Sequence, residues 1–179
     1  VRMLKRYFIG TAAALLAAAL FFTQEAHGIG AQKAILLDAD SGRTLYEKQP
    51  DSRSLIASTT KIMTALVVCE QCNVLDRVKI PKEAVGIEGS SVYLTEGEVL
   101  TVQELLYGMM LHSGNDAATA LAIYCGGTVE GFAELMNDKA RFLGLRDTHF
   151  SNPHGLDSNE NYSTARDLAK LAAYAMENP

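Results

Sequence analysis

The sequence has no tryptophan, three cysteines and four prolines in its 179 residues. Three cysteines cannot all pair within one chain. No internal repeat, low-complexity tract or proline-rich linker is present. Basic residues are in the minority: 16 Lys and Arg face 21 Asp and Glu, a net charge of −5. A pI near 5.4 disfavours the polyanionic backbone of a nucleic acid as partner. What is present looks globular: 48% apolar and 21% charged residues exclude long disordered or collagen-like architectures. The length suits one domain, or one domain with an extra segment.

The first residues have the form of a secretory leader. Arg2, Lys5 and Arg6 are basic, Phe8 to Phe22 carries no charge, and Ala26-His27-Gly28 offers small residues at −3 and −1. The apolar run is short for a span of about 20 residues, so cleavage after Gly28 is expected rather than an uncleaved anchor. Met3 is an alternative start. Without residues 1–28, which hold Arg2, Lys5, Arg6 and Glu25, 13 basic and 20 acidic residues remain, a net −7. The mature part, 29–179, is expected to work outside the cytoplasm.

Ala34 to Leu37, a turn cluster from Asp38 to Gly42, and Thr44-Leu45-Tyr46 predict a β-hairpin. From Ser58 the pattern changes. Ile62, Met63, Ala65, Leu66, Val67 and Val68 make a helix that is apolar nearly all round and is expected to be buried. Val78 to Ile80 suits a short strand, and Gly86 to Ser91 a loop. Thr101 and Glu104 form a capping box before a helix whose apolar face is Leu105, Leu106, Met109 and Met110. Ser113-Gly114-Asn115 interrupts it. Helices are then predicted over 116–125 and 129–143, the first stopped by Gly126-Gly127. A loop follows over 148–162, and a last helix opens at Thr164 and Asp167. A lone two-stranded hairpin is marginal, so the sheet is expected to be incomplete.

Ser58-Thr59-Thr60-Lys61 is an S-x-x-K tetrad at the start of the buried helix. Residues three apart share a helix face, which brings Lys61 within reach of the Ser58 hydroxyl. A serine becomes a nucleophile when a base takes its proton. A lysine can be that base when burial or nearby positive charge lowers its pKa, and the helix N-terminus supplies part of such a field. Taken alone, the tetrad reads more readily as an N-cap serine and a solvated first-turn lysine, since chance matches to S-x-x-K are common. Ser113-Gly114-Asn115 adds a hydroxyl and an amide at a sharp interhelix break. S-x-x-K and S-x-N occur together in penicillin-binding proteins and class A β-lactamases.

The chain resembles the low-molecular-mass penicillin-binding proteins, the serine D-alanyl-D-alanine carboxypeptidases. The resemblance runs from about Ala34 to Pro179. It is carried by residues 57–65, by Gly89-Ser90-Ser91-Val92-Tyr93-Leu94, by residues 111–118, and by residues 148–157 with Tyr162-Ser163-Thr164-Ala165. It implies an α/β penicillin-binding transpeptidase or β-lactamase-like domain, an antiparallel sheet beside a helical region. It implies removal of the terminal D-alanine from peptidoglycan stem peptides ending in D-Ala-D-Ala. Ser58 is then the acylated nucleophile, and Lys61 its general base. Ser113 is the hydroxyl that relays a proton to the leaving D-alanine, and Asn115 a donor to the substrate amide carbonyl. The Ser58 N–H would form half of an oxyanion hole, worth about 10²–10³ in rate. β-Lactam antibiotics are implied as acylating inhibitors. No metal, cofactor or nucleic acid is implied, and association with the membrane is left open.

The family's third motif, Lys-Thr-Gly on a strand, is not in these residues: Lys139 precedes Ala140 and Lys170 precedes Leu171. The chain is therefore expected to be the front part of such an enzyme and to be loosely packed and inactive by itself. A β-lactamase-like hydrolase and a non-catalytic fragment are the rival readings. Cys69 and Cys72 form C-x-x-C late in a helix, where packing is expected of Cys69 and a partly exposed thiol of Cys72. Cys125 is expected in the core. His112, His149 and His154 lack a regular ligand spacing. Local hydrogen bonding is expected of the 149–154 loop, and solvent exposure of Glu160.

Overall fold

The computed structural model describes residues 29–156 and 158–178. The leader expected over residues 1–28 lies outside the described residues. In chain order the elements are β1 (Ala34–Leu37), β2 (Thr44–Lys48), β3 (Ser54–Leu55), α1 (Thr60–Gln71), β4 (Arg77–Lys79), β5 (Val99–Thr101), α2 (Val102–His112), α3 (Asn115–Gly126), α4 (Val129–Phe142), β6 (Tyr162–Ser163) and α5 (Ala165–Met176). Short 3-10 turns at Ala57–Thr59 and Lys82–Ala84 complete the set. All fall within the compact unit Gln32–Pro179.

The predicted hairpin is β1 with β2, antiparallel, its register shifted by an irregularity between Leu36 and Leu37. Asp38 builds its turn, accepting from the Ser41 N–H and hydroxyl through Oδ1 while its carbonyl accepts from Gly42 N–H. Among the described residues the hairpin has no third strand. The hairpin leaves Leu36, Leu45 and Tyr46 exposed, as expected of a sheet without further strands. Two shorter antiparallel pairs join distant segments: β4 with β5, and β3 with β6. The β3–β6 pair ties the chain just before Ser58 to the end of the 148–162 loop.

Helices make the rest of the unit. Thr101 and Glu104 form the expected capping box on α2. Thr128 and Thr164 cap α4 and α5 by accepting from Gly131 and Asp167 N–H. Helix α3 lies at the centre, with Ala117, Ala118, Ala120, Leu121 and Ala122 fully buried. Its run of alanines lets α2 and α4 approach closely. Met63, Leu66, Val67 and Val68 of α1 join the same core with Leu105, Met109, Phe132, Met136, Phe150 and Leu171.

Helix α1 departs from all-round burial. Ile62 and Ala65 are half-buried and face an open apolar groove of about 330 Å³ shared with Met110, Ala172 and Met176. This explains the correction at the cysteines. Cys69 projects from that same face and is an exposed free thiol, not a packed residue. Cys72 is the C-cap of α1 in extended conformation. It is no free thiol but is bonded to Cys125, near the end of α3.

Candidate active site

Ser58 stands in the 3-10 turn that leads into α1, where N–H groups without helical partners and the helix dipole create a positive field. The preceding residue, Ala57, is held at φ 43°, a left-handed conformation that is costly for a side chain bearing Cβ. One turn on, Lys61 is only 3% exposed. Its Nζ lies 3.3 Å from Ser58 Oγ, 2.8 Å from Asn115 Oδ1 and 2.8 Å from the His154 carbonyl. These partners satisfy the three N–H bonds of an ammonium. Burial lowers the Lys61 pKa from its ordinary value. In the amine form two N–H bonds stay on Asn115 and His154. The nitrogen lone pair then faces the Ser58 hydroxyl, which is the geometry of a general base.

Ser113 ends α2 in a left-handed conformation, φ 56° and ψ 29°. That turn places its hydroxyl 3.0 Å from Ser58 Oγ, to which it donates. Asn115, first residue of α3, is nearly buried and bridges two sides of the site. Its Oδ1 accepts from Lys61, and its Nδ2 donates to the Glu88 carbonyl at 2.7 Å. The second amide hydrogen of Asn115 has no protein acceptor among the described residues. Of the four residues nominated from the sequence, Lys61 and Ser113 therefore bond the Ser58 hydroxyl and Asn115 bonds Lys61, which joins them in one cluster.

Two loops wall this centre, and the sequence did not single out the residues that hold them. The first, residues 88–94, is fixed by Asp116. Its carboxylate accepts from the Ser91 hydroxyl at 2.6 Å and from Val92 and Leu94 N–H at 3.1 and 3.0 Å. It also caps its own helix through Ala117 N–H. Burial alone would raise the Asp116 pKa, but the Ser91 hydroxyl and the three N–H donors outweigh it and lower the value. The Ser90 carbonyl accepts from Asn115 N–H at 2.7 Å. Gly89, at φ 87°, sits so close that a Cβ there would lie 2.9 Å from Asn115 Nδ2.

The second loop spans residues 151–156. Asn152 folds it, accepting from His154 and Gly155 N–H and donating to the Leu156 carbonyl. Helix α1 holds it from below: Thr64 Oγ1 donates to the Pro153 carbonyl at 2.6 Å, and Lys61 to that of His154. Gly155, at φ 88°, leaves no room for a side chain, since a Cβ would meet the Ala57 carbonyl at 1.9 Å. This close approach supports the strained turn beside Ser58. The local bonding expected of His149 and His154 is present. His149 Nδ1 bonds the Glu160 carbonyl, and His154 Nδ1 accepts from Leu156 N–H. His154 also lines, with Ser58 and Asn115, a cleft of about 480 Å³. Burial, then the Lys61 charge, lowers its pKa to about 4. Glu160 is exposed as expected.

A family model described as D-alanyl-D-alanine carboxypeptidase matches residues 21–178. D-alanyl-D-alanine carboxypeptidase DacF of Bacillus subtilis (strain 168) is 41% identical over 147 residues, 79% of this chain and 38% of the relative. A D-alanyl-D-alanine carboxypeptidase of Streptomyces sp. (strain K15) is 43% identical over 162 residues, 84% of this chain and 56% of the relative. Among solved structures, D-alanyl-D-alanine carboxypeptidase DacD from Francisella tularensis superimposes with a TM-score of 0.81 at 38% identity. That match covers 84% of this chain and 38% of the other. The chain thus spans 38% and 56% of the two relatives' own lengths.

Proposed function

Because the chain belongs to the D-alanyl-D-alanine carboxypeptidase family, we propose that the whole protein is a serine-type D-Ala-D-Ala carboxypeptidase acting on peptidoglycan stem peptides. The observation that carries this reading is the 3.3 Å approach of a buried lysine nitrogen to the Ser58 hydroxyl, which Ser113 also bonds at 3.0 Å. Lys61, as the amine, takes the proton while Ser58 Oγ attacks the carbonyl of the penultimate D-alanine. The tetrahedral oxyanion faces the positive end of α1. Its collapse breaks the peptide bond, and the departing amine takes a proton through Ser113. The acyl group stays on Ser58 until water hydrolyses the ester and restores the hydroxyl.

The same attack opens a β-lactam ring, so β-lactams act as acylating inhibitors. The substrate places the work outside the cytoplasm, with residues 1–28 as a cleaved leader and residues 29–179 as part of the catalytic domain. No helix among the described residues is long and apolar enough to cross a membrane. Incubating the whole protein with a fluorescent penicillin and with a diacetyl-lysyl-D-Ala-D-Ala peptide tests the reading. Covalent labelling lost in Ser58→Ala, together with released D-alanine, is the expected result. Labelling unchanged in Ser58→Ala would refute it. Sequencing of the secreted product tests the leader: it should begin at Ile29.

A further inference from the structure

Resting on that reading, and on the work outside the cytoplasm that it entails, we propose that the Cys72–Cys125 bond is an oxidation-dependent clasp that sets the register of the two helices carrying the site. Helices α1 and α3 have twelve residues each, pack on one another and run in the same direction. At one end Lys61 Nζ donates to Asn115 Oδ1 at 2.8 Å. At the other, the C-cap of α1 is bonded to Cys125 in the last turn of α3. A helical rise of 1.5 Å per residue puts these two ties about 15–17 Å apart.

What lies between the ties holds register weakly. Residues 117–122 of α3 are all buried, and four of the six are alanine. Helices keep register by seating the ridges of one in the grooves of the other, and alanine ridges are low. Beside the disulfide, the Tyr124 hydroxyl donates to Asp76 Oδ2 at 3.0 Å, an exposed bond that water can replace. The site feels a slip directly. Asn115 is the first residue of α3, and Ser113 reaches Ser58 Oγ from two positions before it. Movement of α3 along α1 lengthens the Lys61–Asn115 and Ser113–Ser58 bonds together. It also admits water to Lys61, whose pKa is low because of burial.

The clasp closes where the protein works. A reducing cytoplasm keeps Cys72 and Cys125 as thiols, and an oxidising exterior joins them. The two thiols give two protons and two electrons to a disulfide oxidant, which leaves as two thiols. A dithiol reductant reverses the step and closes to its own disulfide. The reduced chain is therefore slow, and export completes the site.

The test uses the whole protein with Cys69→Ser, which removes the exposed free thiol. One sample is oxidised with glutathione disulfide and another reduced with dithiothreitol, and both are freed of reagent. Peptide mapping establishes the state of Cys72 and Cys125 in each. Acylation by benzylpenicillin is then timed against pH, at a temperature below both melting transitions. The reduced form should acylate about tenfold more slowly, the size of one hydrogen bond. Its rate should also rise at higher pH than that of the oxidised form, because a wetter Lys61 loses its proton later. Re-oxidation should restore both properties. The double variant Cys72→Ser, Cys125→Ser should match the reduced form after either treatment. Equal rates and equal pH profiles in the two forms would leave the bond as a brace on stability alone and overturn the proposal. An oxidised protein with Cys72 and Cys125 unlinked would overturn it too. Failure of both forms to acylate would instead remove the carboxypeptidase reading, and this proposal with it.

Discussion

Two loops close on the helix that carries Lys61, and they are held by different forces. Both bring a glycine near φ 87–88° against an atom of the site, Gly89 against Asn115 Nδ2 and Gly155 against the Ala57 carbonyl. Residues 88–94 depend on one buried carboxylate, Asp116, that gathers a hydroxyl and backbone N–H groups. Among the described residues no carboxylate has that role for residues 151–156. Neutral Asn152 folds them, and Thr64 and Lys61 bind their carbonyls from α1. The first loop is therefore sensitive to charge and the second to shape. The Lys61 side chain links them, since it bonds Asn115 behind the first loop and His154 within the second.

The largest effect is expected where shape decides. Gly155→Ala adds a Cβ at an impossible distance from backbone and forces a left-handed alanine, so a loss of about 4 kcal/mol or more is expected. Thermal unfolding and penicillin labelling should fall together. A variant with unaltered melting would show that the second loop yields and would erase the contrast.

Asp116→Asn comes next, at about 2–4 kcal/mol, because it puts an amide N–H among donors and leaves buried groups unpaired. Its pH signature sharpens the comparison. The Asp116 carboxyl is held below its ordinary value of 3.8. Its contribution is thus complete above that value and fades as pH falls through the lowered one. Acid melts of the unmodified protein should show this loss, and those of Asp116→Asn should not.

Gly89→Ala should cost less, about 1–3 kcal/mol, since the atom it meets is the end of a side chain. It should slow acylation more than it lowers the melting temperature, by moving Asn115 and Lys61. Thr64→Val is the mildest, about 1–2 kcal/mol for an unpaired buried carbonyl at Pro153. Equal costs for all four variants would mean that the loops are not held differently.

The local signals in the sequence carried far. Thr101 with Glu104, and Thr164 with Asp167, announce helix starts because caps are short-range bonds. S-x-x-K announced the Ser58–Lys61 approach because helix geometry fixes it. The pairing of Ser54–Leu55 with Tyr162–Ser163 was illegible, since two-residue strands carry no periodicity. So was Cys72 with Cys125, separated by 53 positions. Asp116 looked like an ordinary first-turn acid, and only the folded loop shows its partners. Gly155 carried the signal of a turn, while its need for glycine comes from Ala57, far away in sequence. The core around α3 is built of small alanines, buried without a share in any sheet.

The central claim is that a buried Lys61 activates Ser58. Its most direct test is the rate and site of covalent modification by benzylpenicillin, followed by mass spectrometry of peptides from the whole protein. The adduct should sit on the peptide bearing Ser58 and be absent in Ser58→Ala. In Lys61→Ala its formation should slow by about 10²–10⁴, the range for a lost general base. An adduct on another residue, or Lys61→Ala reacting at the unmodified rate, would contradict the account.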